Sequence, residues 1–291
     1  MKICRTCNEM RSACAELRKP GSTTLGLVPT MGALHAGHLS LVAAALSECD
    51  VVAASIFVNP RQFAPGEDYD VYPRQFEEDC RKLESAGVEI LFAPSAEEMY
   101  PPGAATVIDV PGIGDRLDGA SRPGHFRGVA TVVAKLFNII TPDRAYFGQK
   151  DAAQVAVLQA MVRDLNFAVE VVVCPTVREM DGLAMSSRNT YLTVEDRRRA
   201  LILHRALRTT SLLFKRGEER GVTLRNVMRM TLAGEPLFRM EYAEVVHPAT
   251  LEPVEDVQQG ALLAVAGRIG TTRLIDNLRI EPVSNEQVNH G

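Results

Sequence analysis

Two histidines three residues apart form the first candidate site in this chain. His35 and His38 belong to the segment PTMGALHAGH, which follows a short β-rich run and precedes an apolar stretch with helical spacing. Side chains three positions apart face the same side of a helical turn, so both imidazoles can point at one group. Because imidazole N–H groups can donate to oxygens on which negative charge builds, the pair predicts phosphate chemistry.

The position of this segment also favours a phosphate ligand. In an open α/β sheet, ligands bind at the carboxyl ends of strands, where the next helix offers free N–H groups and a partial positive charge. Gly32 and Gly37 allow the backbone to come close to a bulky anion. Two other interpretations of the histidines stay open: a structural pair, and a metal site with the sequence-distant His125 as third ligand.

A second candidate segment, FGQKDAAQ at residues 147–154, also stands between a predicted strand and a predicted helix. The ammonium group of Lys150 can reach a phosphate, and the carboxylate of Asp151 can accept hydrogen bonds from ribose hydroxyls. By itself such a pair is usually a solvated helix cap. Its position at a second strand end makes nucleotide binding the preferred interpretation.

Two further polar segments carry groups that suit anionic or hydroxylated ligands. MSSRN, residues 185–189, offers two hydroxyls and a guanidinium group to a triphosphate, although this composition is also common in surface loops. FVNPRQF follows the apolar run at 51–58, and the amides of Asn59 and Gln62 can bind hydroxyls and a carboxylate without the cost of a buried charge. A simple turn beginning at Asn59 is the alternative.

Along the chain, apolar runs typical of strands alternate with stretches whose apolar residues have helical spacing. Apolar runs at 23–28, 51–58, 89–94, 145–148 and 168–175 predict strands, and helically spaced stretches stand before, between and after them. Such alternation predicts an α/β fold with a doubly wound parallel sheet.

The chain changes character near residue 176. An aperiodic loop precedes a long predicted helix, which Thr193 and Asp196 open as a capping box, and two β-rich stretches at 241–254 and 260–280 follow. These features predict a smaller α+β domain. We therefore expect domains over residues 1–176 and 177–291, with a frayed tail at 284–291.

Composition narrows the classes of function. The 291 residues carry a formal net charge of −4, which argues against a broad nucleic-acid surface, and no apolar stretch approaches the ~20 residues of a membrane span. The N-terminus lacks a signal-like apolar run, so we expect a cytoplasmic protein with its six cysteines reduced. Neither a Walker A pattern nor a GxGxxG or GxSxG motif is present.

Taken together, the motifs resemble those of the pantothenate synthetase family, also called pantoate-beta-alanine ligases, within the HxGH nucleotidyltransferase superfamily. PTMGALHAGHLSL, FVNPRQF, RPGHFRGVATVV, FGQKDAAQ, DGLAMSSRNTYL and GRIGTTRLIDN occur in the family's order over nearly the whole chain. Two positions depart from the usual pattern: Arg61 replaces a more typical uncharged residue, and Met180 replaces a smaller residue or proline.

The resemblance implies a Rossmann-like N-terminal domain that binds ATP and pantoate, a C-terminal lid, a homodimer and a two-step reaction that needs Mg²⁺. Pantoate first attacks the α-phosphate of ATP to give pantoyl adenylate and pyrophosphate, and β-alanine then displaces AMP. The implied ATP-binding residues are Met31, Gly32, Ala33, Leu34, His35, Ala36, Gly37, His38, Gly148, Gln149, Lys150, Asp151, Val177, Met185, Ser186, Ser187 and Arg188.

The resemblance also implies the catalytic and substrate-binding roles. His38 is the expected general acid with His35 as its partner, and Lys150 offsets charge on the leaving pyrophosphate. Gln62 and Gln154 are expected to bind pantoate. Asp79 is the candidate metal ligand.

Two other functions fit part of the same pattern. A nucleotidyltransferase that acts on a phosphorylated acceptor shares the fold and the histidines, and a nucleotide-binding sensor without turnover shares the ligand. The ordered set of motifs favours the ligase.

Overall fold

The computed structural model describes residues 1–18 and 23–282 and divides the chain into two compact units. Unit 1 comprises Met1–Gln149 and Ala153–Val177, and unit 2 comprises Lys150–Ala152 and Arg178–Gly291. The predicted frayed tail at 284–291 lies outside the described residues. No helix within the described ranges is long and apolar enough to span a membrane.

The helices and strands mostly alternate through unit 1, with three successive helices before the fifth strand, and two helices followed by three strands come after them. In chain order they are β1 (Lys2–Cys4), α1 (Cys7–Leu17), β2 (Leu25–Thr30), α2 (Ala36–Glu48), β3 (Val51–Ile56), α3 (Phe76–Ala86), β4 (Ile90–Phe92), α4 (Ala96–Met99), α5 (Asp118–Ser121), α6 (His125–Ile140), β5 (Arg144–Gly148), α7 (Ala152–Asp164), β6 (Glu170–Cys174), α8 (Val194–Lys215), α9 (Gly221–Ala233), β7 (Phe238–Val246), β8 (Ala261–Ile269) and β9 (Thr272–Ile280).

The sheet of unit 1 has six parallel strands in the order β1-β4-β3-β2-β5-β6. From β2 the chain runs outward through β3 and β4 on one side, and through β5 and β6 on the other. The order therefore reverses between β2 and β5, and in such sheets the crevice beside the carboxyl ends of these strands is the usual ligand site. The predicted doubly wound parallel sheet is confirmed.

Burial explains why the central strands read as continuous apolar runs in the sequence. β3 is buried along almost its whole length, and β2 is buried at all but one position. Helices cover both faces of such a sheet, so the strands have no solvated side and no polar alternation. Within α6, most residues from Phe126 to Ile140 are buried, which matches its long apolar stretch.

Unit 2 contains an antiparallel sheet in the order β7-β8-β9 together with α8 and α9. Its core joins apolar side chains of the helices, such as Leu203 and Met228, with those of the strands, such as Leu263. The Thr193 side chain accepts a hydrogen bond of 3.1 Å from the backbone N–H of Asp196 at the start of α8, which is one of the two bonds of the predicted capping box. The predicted smaller α+β architecture is confirmed.

Candidate active site

A buried carboxylate holds the loop between β2 and α2. The backbone N–H groups of Ala33 and Leu34 donate to Asp79 Oδ2 and Oδ1, both at 2.8 Å. Asp79 is 1% exposed, so these two bonds compensate for its removal from water. Gly32 has φ +83°, and a β-carbon there would lie 3.0 Å from Asp79 Oδ2. Glycine suits this position because the positive φ strains other residues and because a β-carbon would crowd the carboxylate.

These contacts bear on the prediction that Asp79 is a metal ligand. Both carboxylate oxygens accept backbone N–H groups, and little of the side chain reaches solvent. Within residues 1–18 and 23–282, no group of three or more His, Cys, Asp or Glu side chains is placed to hold a metal ion. The metal-binding role of Asp79 stays a prediction.

The two histidines cap the start of α2 reciprocally. The Nδ1 atom of His35 accepts from Gly37 N at 3.1 Å, and the Nδ1 atom of His38 accepts from His35 N at 3.3 Å. The ring centroids lie 4.1 Å apart. Because Nδ1 accepts in each ring, a neutral imidazole carries its proton on Nε2 and can donate it. The backbone of the loop therefore sets the tautomer that an oxyanion-binding role needs.

Gln62 lies beside Met31, another predicted ligand-binding residue. Its Nε2 atom is 3.1 Å from Met31 Sδ, and its Oε1 atom accepts from Asn59 Nδ2 at 3.0 Å. Asn59 is 1% exposed and also donates to Gly128 O at 3.1 Å. Its Oδ1 atom accepts from the Tyr100 hydroxyl at 2.9 Å. Asn59 thus fixes the orientation of the Gln62 amide, and its own predicted contact with substrate stays a prediction.

Arg61, which departs from the family pattern, stacks on a partly buried tyrosine. Its guanidinium carbon lies 4.0 Å from the ring centroid of Tyr100, and its NH2 group donates to Ala104 O at 2.9 Å. Burial raises the pKa of Tyr100 to about 12, against a smaller opposing effect of Arg61. The hydroxyl that donates to Asn59 therefore stays protonated at neutral pH.

The segment RPGHFRG supplies contacts whose role the sequence did not reveal. His125 Nδ1 lies 2.8 Å from the backbone carbonyl oxygen of Gln62, and Arg122 NH1 lies 3.0 Å from His125 Nε2. Burial, together with a smaller effect of the Arg122 charge, lowers the pKa of His125 to about 4. Both ring nitrogens are thus engaged within the protein, which disfavours His125 as a third metal ligand.

In unit 2, the backbone of Lys150 is tied to β9. The Asn277 amide donates to Lys150 O at 2.8 Å, and Lys150 Nζ lies 3.6 Å from Asp151 Oδ1. The Lys150 side chain is 20% exposed and that of Asp151 is 45% exposed. Asn277 belongs to the GRIGTTRLIDN motif, which therefore fixes the main chain of a predicted phosphate-binding lysine.

The neighbouring residue of β9 holds the loop at 178–189. Arg178 makes a bidentate ion pair with Asp276, with N–O distances of 2.6 and 2.9 Å, and donates to Gly182 O at 3.1 Å. Gly182 has φ +95°, and a β-carbon there would collide with the ring of His204. Further along, Ser186 Oγ accepts from the backbone N–H of Arg188 at 3.3 Å. The side chain of Met180 is fully exposed at the tip of this loop.

The predicted site residues thus divide between the two units. Unit 1 holds residues 31–38, Asn59, Gln62, Asp79, Gly148, Gln149, Gln154 and Val177, and unit 2 holds Lys150, Asp151 and residues 185–188. Within unit 1 the structure brings together His35 with His38, and Met31 with Gln62. Binding of one nucleotide by all of these residues stays a prediction.

Comparison with known proteins supplies the family. A family model described as pantoate-beta-alanine ligase matches residues 2–279. The chain is 54% identical over 285 residues to the pantothenate synthetase of Koribacter versatilis, with 98% of each chain covered. It is 58% identical over 288 residues to that of Acidobacterium capsulatum, with 96% of each covered.

Solved structures agree with these sequence matches. The crystal structure of pantothenate synthetase from Thermus thermophilus superposes with a TM-score of 0.91 at 50% identity, covering 97% of this chain and 100% of that one. A pantoate-beta-alanine ligase from Francisella tularensis, complexed with beta-gamma ATP and beta-alanine, gives a TM-score of 0.75 at 36% identity. The match covers 96% of this chain and 97% of the Francisella chain.

Proposed function

This chain belongs to the pantoate-beta-alanine ligase family, and we propose that it joins pantoate to β-alanine through a pantoyl adenylate formed at the loop of His35 and His38. The observation that carries this proposal is the reciprocal capping of the two imidazoles, which sets both Nε2 atoms as donors. The loop follows β2, at the point where the strand order of the sheet reverses.

In the first step, a carboxylate oxygen of pantoate bonds to the α-phosphorus of ATP, and the bond from that phosphorus to the bridging oxygen breaks. Pyrophosphate leaves with the electron pair. Negative charge grows on the oxygens around the phosphorus, where the Nε2–H groups of His35 and His38 donate. In the neutral tautomer, the Nε2–H of His38 stabilises this charge as a hydrogen-bond donor and stays on the ring. The general-acid role that the family resemblance implies for His38 requires the protonated imidazolium ring and stays a prediction.

In the second step, the amine nitrogen of β-alanine bonds to the acyl carbon of the adenylate. The bond from that carbon to the phosphate oxygen breaks, AMP leaves with the electron pair, and the nitrogen loses a proton to solvent to give the amide. Adenylation is needed because a free carboxylate has a poor leaving group, which the phosphate ester replaces.

Gln62 and Gln154 bind pantoate in this proposal, with Gln62 near β-alanine. The support for Gln62 is its orientation by Asn59 and its proximity to Met31. Asn59 itself is a positioning residue or a direct ligand of substrate, and its saturated hydrogen bonds favour the first role.

We assign binding of the ATP phosphates also to residues of unit 2. Lys150 offsets charge on the departing pyrophosphate, and the Ser186 and Ser187 hydroxyls with Arg188 bind the triphosphate. The roles of an ATP- and pantoate-binding domain over 1–176 and a lid domain over 177–291 rest on the family resemblance, as does a homodimer. The cytoplasmic location stays a prediction from the sequence.

We propose that Mg²⁺ binds together with ATP. Mg²⁺ takes oxygen ligands and is commonly held by one or two carboxylates together with substrate phosphates. Asp79 fits this role poorly, because both of its oxygens accept backbone N–H groups inside the protein. We therefore derive no step through a protein-held ion.

The test of this function is an assay of product formation with each substrate omitted in turn. We expect pyrophosphate to form from ATP only when pantoate is present, and the amide to form only when β-alanine is also present. Pyrophosphate release that is indifferent to pantoate would instead support a nucleotidyltransferase with another acceptor. ATP binding without any pyrophosphate release would support a sensor.

A further inference from the structure

The backbone carbonyl of Gln62 is held by two side chains from one short segment. His125 Nδ1 lies 2.8 Å from this carbonyl oxygen, and Arg122 NH2 donates to the same oxygen at 3.3 Å. A carbonyl oxygen is only an acceptor, so His125 must carry its proton on Nδ1 to make this bond. The Nε2 atom then accepts from Arg122 NH1 at 3.0 Å.

Glu67 fixes the guanidinium group that completes this arrangement. Arg122 Nε and NH2 donate to the two oxygens of Glu67 at 2.7 and 2.6 Å, with side-chain exposures of 12% for Arg122 and 16% for Glu67. A bidentate pair of this kind sets the plane of the guanidinium group as well as its position. Because the pKa of His125 is lowered to about 4 by burial, its ring stays neutral at pH 7.

The other side of the Gln62 segment is fixed by close packing. A β-carbon at Gly128 would overlap the carbonyl of Arg61 and crowd the α-carbon of Gln62. The Gly128 carbonyl accepts from Asn59 Nδ2, which also holds the Gln62 side chain. The main chain and the amide of Gln62 are thus placed by separate contacts, and α6 contributes to both.

We propose that His125 is a positioning residue for pantoate binding, which acts by fixing the main chain of Gln62 through its Nδ1–H. The inference rests on the proposed role of Gln62 as a pantoate ligand. It assigns a function to RPGHFRG, because the neutral imidazole couples the Arg122–Glu67 ion pair to the residue that contacts substrate.

A pair of variants separates the Nδ1–H from the bulk of the ring. His125→Leu removes the donor and keeps an apolar side chain, whereas His125→Asn keeps an N–H donor close to the position of Nδ1. Should His125→Leu fail to fold, His125→Gln replaces it, because its amide lies nearer the position of Nε2. His247→Leu is the matched control, since His247 Nδ1 also bonds backbone groups, in a turn of unit 2.

We expect His125→Leu to raise the KM for pantoate about tenfold, the equivalent of one lost hydrogen bond. The KM for ATP and kcat should stay within about twofold of the parent values, because the nucleotide contacts are unchanged. His125→Asn should restore most of the pantoate affinity. A fall in kcat with an unchanged KM for pantoate would indicate a merely structural role and would overturn the proposal.

A double-mutant cycle with Gln62→Ala tests whether His125 acts through Gln62. In that background, His125→Leu should change the KM for pantoate less than about twofold, because the side chain that it positions is gone. A full tenfold effect there would contradict the proposal. If Gln62→Ala alone leaves the KM unchanged, the proposed role of Gln62 fails. If Gln62→Ala raises it and His125→Leu does not, only the inference about His125 fails.

Discussion

Two irregular loops carry most of the predicted nucleotide-binding residues, and they are held in different ways. The loop at 31–38 in unit 1 is fixed by Asp79, whose oxygens accept from backbone N–H groups. The loop at 178–189 in unit 2 is fixed by Asp276, whose oxygens pair with the side chain of Arg178. Both carboxylates are buried, at 1% and 3% exposure.

The difference between the two anchors determines how each loop can change. Backbone N–H groups are present whatever the side chains, so the loss of Asp79 always leaves two donors without their acceptor. Arg178 and Asp276 can be replaced together, since a well-packed apolar pair can substitute for a buried ion pair. The histidine loop is therefore the less tolerant of the two, which suits the loop that we assign to catalysis.

The largest expected effect is at the histidine loop itself. His38→Asn keeps an acceptor for the backbone N–H of His35 and removes the Nε2–H that we assign to catalysis. We expect the rate of pyrophosphate release to fall about 10²–10³-fold, the usual cost of removing one hydrogen-bond donor to a developing oxyanion. Single-turnover kinetics measure this rate, and circular dichroism checks the fold. A near-normal rate in the folded variant would remove His38 from the mechanism.

The next largest effect is expected at Asp79, which accepts hydrogen bonds from the backbone of the histidine loop. Asp79→Asn places an amide N–H against one of the two loop donors, so we expect the free energy of unfolding to fall by about 2–4 kcal/mol. Pyrophosphate release should slow as well, because the histidine loop loses its support. Urea denaturation measures the first change. Glu78→Gln, on the exposed face of the same helix, is the control, with an expected loss below about 1 kcal/mol.

The side-chain anchor should respond differently to single and double substitution. Arg178→Met leaves the Asp276 carboxylate buried without its cation, and we expect a loss of about 2–4 kcal/mol in unfolding free energy. The double variant Arg178→Met with Asp276→Leu should recover part of this loss. Losses that simply add would show that the two loops are anchored alike, contrary to the comparison.

The smallest effect is expected at the outer ion pairs of the unit 2 loop. Arg197 NH2 lies 2.7 Å from Glu179 and 2.8 Å from Asp181, with all three side chains about a third exposed. Arg197→Gln should cost less than about 1 kcal/mol, and less at high salt. A loss above that range would make these pairs a second anchor.

The same variant, Arg197→Gln, should also change the pKa of the Glu179 carboxyl. The Arg197 hydrogen bond lowers the pKa of the Glu179 carboxyl in the folded protein. The pair therefore stabilises the fold at pH values above the pKa of this carboxyl in the unfolded chain. This stabilisation is lost as the pH falls through the lower pKa of the folded state. In Arg197→Gln the Glu179 pKa should move back toward its ordinary value, which side-chain NMR measures. An unchanged pKa would show that groups other than Arg197 lower the pKa of Glu179.

The sequence predicted the elements whose pattern is strong, and missed those whose pattern is short or mixed. β3 was recognisable as a continuous apolar run because it is buried on both faces. β1 escaped prediction because two of its three residues are exposed, so it lacks the buried apolar run that marks β4, a strand of the same length. α9 was also missed, although Leu224, Met228 and Leu232 have helical spacing, because it begins with glycine and β-branched residues.

The site shows a similar limit. The spacing of His35 and His38 was visible in the sequence, and their rings lie 4.1 Å apart. The contact of Asp79 with the loop was not visible, because it joins residues about 45 positions apart and depends on how α3 packs. The role of the Gln62 backbone carbonyl could not be predicted from the sequence, because every residue carries such a group.

Transfer of a labelled oxygen tests the central claim most directly. The substrate is pantoate whose two carboxylate oxygens are oxygen-18, and it reacts with unlabelled ATP and β-alanine. Mass spectrometry then measures the masses of the products. If the carboxylate attacks the α-phosphorus, AMP gains one labelled oxygen and the amide carbonyl of the product keeps the other. Unlabelled AMP formed together with the amide would contradict an acyl adenylate and the mechanism built on it.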